Sequence, residues 1–156
     1  HLTPRIDSTL LSSADIMPTL LSLAGLEKRI PKTVEGYDLS AALRGDEGAF
    51  RPESALYMRN LNGVKGEDGM VRGFFGEARG LKTQRYTFEV DITRDGELKS
   101  MLLFDDYSDP YQLNSLHDKD EQLLGEMLRA LGKKLRETND VWYRERVLSD
   151  LIDYEI

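Results

Sequence analysis

Residues 51–85 gather seven Lys or Arg against four acids, a local net of +3 in a 156-residue chain whose formal charge is −7. The rest of the chain therefore carries −10. Within the stretch, Arg59, Arg72, Arg79, Lys82 and Arg85 stand close to Asn60 and Asn62, and six glycines fall between positions 63 and 80. Guanidinium forks match the oxygen geometry of sulfate, phosphate and carboxylate, and glycine lets backbone approach a ligand closely. The stretch reads as an edge for an anionic group. Arg59, Asn60, Asn62 and Arg72 are the candidates to face the ligand, and Arg79, Lys82 and Arg85 read as supports of the surrounding sheet. For any single one of these residues the plainer alternative is a solvated face of a small sheet.

Other chemistries find less support. With no cysteine there is no thiolate nucleophile, no disulfide and no cysteine-ligated metal. His117 needs a partner such as Ser108 or Ser115 to form a nucleophile–base pair, and a capping or surface role is the simpler reading. The run GFFGEARG lacks the Lys-Ser/Thr ending of a phosphate-binding loop. Residues 105 to 126 hold seven acids and one Lys, yet FDDYSDPYQLNSL lacks the alternating acids, central Gly and terminal Glu of a calcium loop. Turn formation and helix capping explain Asp105, Asp109 and Asp118 more cheaply, so no metal site is assigned. A pI near 4.9 argues against nucleic acid as a partner, and no run approaches the ~20 apolar residues of a membrane span. HLTPRIDSTLLSSADIM has no basic start followed by an apolar core, so it does not read as a secretory signal. His rather than Met at position 1 reads as a trimmed piece of a longer chain.

These residues need elements to hold them. DIMPTLLSLA, 15 to 24, reads as a short helix capped by Asp15, with Pro18 in its first turn, Ile16, Leu20, Leu23 and Ala24 near one face, and Gly25 as the stop. Leu39 to Arg44 reads as a helical turn or two before Gly45, capped by Asp38. From Ser54 to Phe104 the pattern becomes strand-like: SALYM, VRGFFGEARGLK, RYTFEVDI and SMLLF, with turn signals at Asn62-Gly63, Asp68-Gly69 and Asp95-Gly96. Leu123, Met127, Leu131 and Leu135 recur every fourth residue, with acids before them and Lys133, Lys134 and Arg136 after, which predicts a long helix whose end charges suit its dipole. The tail, VWYRERVLSDLIDYEI, reads as a further helix docking on the sheet. The fold class is α+β: a small antiparallel sheet of three or four strands packed with a long C-terminal helix.

Three segments in register resemble the C-terminal part of the sulfatase family, within the alkaline phosphatase superfamily. SSADIMPTLLSLAGL with VEGYDLSAALRG is similar to that family's Asp-hydrophobic-x-Pro-Thr-Leu-Leu-x-Leu-Ala-Gly helix and its continuation. ARGLKTQRYTFEVD resembles the strand pair x-Arg-x-Val-Arg-Thr-x-x-Tyr-Lys-Tyr, and LLFDDYSDPYQLNSL resembles Leu-Tyr-Asp-Leu-x-x-Asp-Pro-x-Glu-x-x-Asn-Leu. The order holds over residues 8 to about 138. Thr87 and Phe88 depart from the usual Lys-Tyr, and Gln112 from Glu.

The resemblance implies that residues 1–50 are the tail end of the large α/β domain and 51–156 the C-terminal subdomain. The first helix is then left over from the larger domain, with its apolar face exposed, mobile or paired with a second copy in an oligomer. It further implies a parent that hydrolyses sulfate esters, on a sulfated sugar or glycosaminoglycan, through a formylglycine made within Cys/Ser-x-Pro-x-Arg and a calcium ion. No Ser here begins that motif, and LTPR at 2–5 does not replace it. The chain alone is thus expected to be inactive, its missing N-terminal domain being its partner, and the resemblance implies a periplasmic or extracellular location. Two alternatives are a stand-alone glycan or anion-binding module, for which Trp142 as the only Trp is a thin platform, and a fragment of a phosphoric or phosphonic monoester hydrolase of the same superfamily.

Overall fold

Ser12-Ser-Ala-Asp15 begins the first helix, α1 (Ser13–Leu23). The helix starts earlier than a cap at Asp15 would place it. Ser12 is the cap, and Asp15, three residues on, reaches back to accept the Ser12 backbone N–H at 2.7 Å. A carboxylate marks the third helical position when it satisfies an N-terminal donor in this way. Pro18 therefore lies beyond the first turn and cannot donate to the Ala14 carbonyl. Gly36 packs against that carbonyl so closely that a Cβ would sit 2.0 Å from the Ala14 oxygen. The helix stops at Gly25, whose φ of 73° accompanies Gly25 N–H to Ser22 O and Leu26 N–H to Leu21 O, a Schellman closure.

This computed structural model describes residues 4–60, 64–65, 67, 71–72, 76–93 and 95–155, with backbone alone at 64–65 and 71–72. The chain divides into two compact units, 1–55 and 56–156. The first holds α1, a single 3-10 turn (Glu27–Arg29) and α2 (Ser40–Arg44). Arg5 donates to the Ala42 and Leu43 carbonyls at the end of α2, where a cation also suits the helix dipole. Gly45, at φ 92°, ends that helix beneath the guanidinium.

The second unit is built on a four-stranded sheet of order β1-β4-β5-β6, from β1 (Ser54–Asn60), β4 (Glu77–Thr83), β5 (Tyr86–Ile92) and β6 (Leu98–Asp105). Between β1 and β4 in the chain lies a two-stranded ribbon, β2 (Val64–Lys65) with β3 (Val71–Arg72). β4, β5 and β6 run antiparallel in register Leu81↔Phe88↔Leu103. The Asp95-Gly96 turn closes the β5–β6 hairpin, with Gly96 at φ 82°. The turn signals at Asn62-Gly63 and Asp68-Gly69 fall outside the described residues.

Period-two alternation sends Leu81, Phe88, Val90 and Leu103 to one face. There they meet Met127, Leu128, Leu131 and Leu135 of α3 (Glu121–Glu137). Asp120 caps α3 by accepting the Leu123 N–H at 2.9 Å. The tail is not the expected helix. Only α4 (Val141–Arg144) forms, because Arg146 and Leu148 take positive φ values that break helical continuation. Trp142, Ile152 and Tyr154 nevertheless reach the core. Gly132 admits the returning tail, since a Cβ there would lie 2.1 Å from the Asp153 carbonyl oxygen. No described helix is long and apolar enough to cross a membrane.

Candidate functional site

The basic stretch occupies β1, the ribbon and β4, and β1 and β4 are neighbours in the sheet. The end of β1 therefore lies beside the strand that carries Arg79. Consecutive strand residues point to opposite faces, so Arg59 and Asn60 separate. Arg59 Nη2 lies 3.0 Å from Asp91 Oδ1 and 3.5 Å from Glu89 Oε1, and Asp91 also takes Lys99 Nζ at 3.0 Å. These groups form a cross-strand network linking β1, β5 and β6.

Asn60 belongs to a different cluster. Its Oδ1 accepts a hydrogen bond from Arg79 Nη1 at 2.7 Å. Arg79 has no exposed surface; its Nε lies 3.0 Å from both carboxylate oxygens of Asp140, and its guanidinium stacks 5.2 Å from the Trp142 ring centre. Asp140 also accepts the Trp142 backbone N–H at 2.9 Å, and Trp142 Nε1 donates to Glu77 at 3.1 Å. Arg79 thus joins β4, the end of β1 and the cap of α4.

Lys82 and Arg85 end on carboxylates too. Lys82 pairs with Asp106, whose oxygens also accept from Thr87 and Gln112. Arg85 forks onto Asp105 through Nε at 3.1 Å and Nη2 at 2.7 Å, which holds the Asp105 carboxyl well below its usual range. Of the candidate ligand-facing residues, Arg72 lies on β3 and Asn62 falls outside the described residues. The positive excess read along residues 51–85 is offset in space by Glu89, Asp91, Asp105, Asp106 and Asp140. Nothing in local spacing shows those partners: Asp140 is 61 positions from Arg79.

Ser115 and His117 do come together. Ser115 Oγ lies 3.0 Å from His117 Nδ1, accepts the Leu103 N–H at 3.1 Å and is 3.3 Å from the Leu103 carbonyl. Asp118 is 3.9 Å from the same Nδ1. A nucleophile relay needs hydroxyl and acid on opposite ring nitrogens, so this group pins the outer side of β6 instead. Among the described residues no three or more His, Asp or Glu stand together as a metal site. Those residues do not fit the calcium that the family resemblance implies for the parent.

The architecture defines the class first: an α+β unit with a four-stranded antiparallel sheet covered on one face by a 17-residue helix, preceded by short helices. No family model matches the chain. It is 48% identical over 155 residues to an endo-4-O-sulfatase of Bacteroides thetaiotaomicron, covering 97% of this chain and 30% of that protein. An ulvan-active sulfatase of Formosa agariphila is 33% identical over 132 residues, covering 83% and 23%. A solved structure from work on glycosaminoglycan metabolism by Bacteroides thetaiotaomicron superposes with a TM-score of 0.83 at 45% identity, covering 97% of this chain and 32% of that one. The chain is a relative of the sulfatase family. It spans about 30% of the length of the first of these curated relatives.

Proposed function

We propose that the chain is the C-terminal portion of a sulfuric ester hydrolase acting on a sulfated sugar or glycosaminoglycan polymer. The observation that carries this is the match of 97% of the chain to less than a third of an endo-4-O-sulfatase. The nucleophile and calcium of the parent belong to the remaining portion. This chain supplies one edge of the substrate cleft through Asn60, Arg59, Asn62 and Arg72. A periplasmic or extracellular site of action follows from the same reading, because its polymeric substrates are met there.

The first unit supports the reading from a different side. α1 buries its polar residues: Asp15 accepts the Tyr37 N–H at 2.7 Å, and Thr19 accepts the Leu39 N–H at 3.0 Å. Ile16, Met17 and Leu20 are 46%, 43% and 59% exposed. An apolar helix face turned outward marks a contact surface, and the remaining sulfatase portion is the occupant proposed for it. A second copy of the chain is the competing occupant, and a dimer by light scattering that is lost in Leu20→Ser would favour it.

The coding sequence upstream of His1 tests the whole proposal. A Cys/Ser-x-Pro-x-Arg a few hundred codons earlier is the expected result. An unrelated domain there favours the stand-alone anion or glycan module, which also requires sulfated oligosaccharide binding that Arg59→Ala with Arg72→Ala abolishes. A nucleophile motif of another kind favours the phosphoric or phosphonic monoester hydrolase.

A further inference from the structure

Asn60 is the only one of the four candidate ligand-facing residues whose side chain is described and exposed, and the group behind it is buried. Arg79 carries five N–H donors and no acceptor. Whatever part of the Asn60 carboxamide faces Arg79 must therefore be its oxygen, and the 2.7 Å contact is made by Oδ1. That choice, usually ambiguous for an amide, is forced here by the chemistry of the partner. Arg79 itself cannot turn away, since Asp140, Trp142 and the Ala78 carbonyl at 2.9 Å hold its guanidinium on three sides.

With the oxygen taken, Nδ2 and its two protons have no partner among the described residues. They lie at the exposed end of β1, where the chain enters the ribbon that carries Arg72. We propose that buried Arg79 is a positioning residue that locks Asn60 as a donor-only contact for an acceptor-rich ligand, the sulfate or hydroxyl oxygens of a sulfated sugar. The ligand rests on the sulfatase reading above; the orientation does not. A neutral donor pair suits this place. Among the described residues Arg59, Arg79, Lys82 and Arg85 are already matched by carboxylates, so recognition of acceptor oxygens here falls to a group that brings no counter-charge of its own.

The test uses the full chain labelled with 13C and 15N, free and titrated with a 4-sulfated chondroitin disaccharide. In the free protein the Asn60 Nδ2 protons should give two separate resonances with backbone-like order, and both should move saturably on titration. Asn60→Asp replaces the donors with acceptors at an exposed site that leaves folding intact, and should weaken binding roughly tenfold, the worth of one or two lost hydrogen bonds. Arg79→Lys, still donor-only and cationic, should keep the amide ordered, whereas Arg79→Gln, able to accept as well as donate, should let it reorient. A freely reorienting Asn60 amide in the unmodified chain overturns the proposal. Saturable shifts elsewhere with Asn60 unmoved overturn it while leaving the sulfatase reading standing. Absence of any saturable shift overturns both the Asn60 contact and the assignment of this edge to substrate.

Discussion

Two amphipathic helices in this chain treat their apolar faces in opposite ways. α3 turns Met127, Leu128, Leu131 and Leu135 onto the sheet. α1 turns Asp15, Pro18 and Thr19 inward and leaves Ile16, Met17 and Leu20 to solvent. The difference is one of partner rather than of helix. The sheet that α3 covers is encoded in the same chain, while the interior contacts of α1 are polar ties to the backbone of Tyr37 and Leu39. A helix held by its polar face keeps its place without its apolar face being covered. Such an arrangement suits an element built to carry a second, larger body on its outer side.

Four measurements test this contrast. The largest effect is expected at the ion pair within the sheet unit. Arg79→Met leaves Asp140 buried without its partner, and removing one member of a buried pair costs about 3–5 kcal/mol. Urea unfolding checks it, and a loss under 1 kcal/mol would show that Arg79 does not hold the unit together. Next comes α3: Leu131→Ala, at a fully buried site, should cost about 2–5 kcal/mol by the same measurement.

A smaller effect is expected in acid. Arg85 depresses the Asp105 carboxyl, so its ionised form is favoured in the folded state and the stabilisation is present above the ordinary carboxylate range. It is lost as the pH falls through that range towards the lowered folded value. Asp105→Asn should therefore be less stable at pH 7 and lose less stability than the unmodified chain between pH 5 and pH 2. Equal pH slopes by thermal melting would contradict the assignment. The smallest effect belongs to α1, where Leu20→Ser should change stability by no more than about 0.5 kcal/mol, as exposed substitutions do. A loss like that of Leu131→Ala would mean that the face of α1 is covered after all.

The local elements were legible in the sequence where one residue's type sufficed. Gly25 and Gly45 ended helices, Asp95-Gly96 turned a hairpin, and the fourfold spacing of Leu123 to Leu135 gave α3 its buried stripe. The start of α1 is not legible in the sequence because Asp15 is chemically competent both as a cap and as the acid that answers one, and only the Ser12 contact distinguishes them. The tail misled for another reason. Val147, Leu148, Leu151 and Ile152 have helical spacing, but Arg146 and Leu148 take positive φ values that this spacing does not signal. At the candidate site, residue types drew attention to Arg59, Asn60 and Arg72. The acids that answer the basic stretch lie on β5, β6 and the turn before α4, so their pairing appears only after folding.

The direct measurement is sulfate release from a 4-sulfated chondroitin disaccharide by the purified chain, with and without calcium and with no other protein present. No release under either condition is predicted, because the proposed function places the nucleophile and calcium in the remaining portion of a sulfatase of which this chain matches about 30%. Calcium-dependent release by this chain alone would contradict the account.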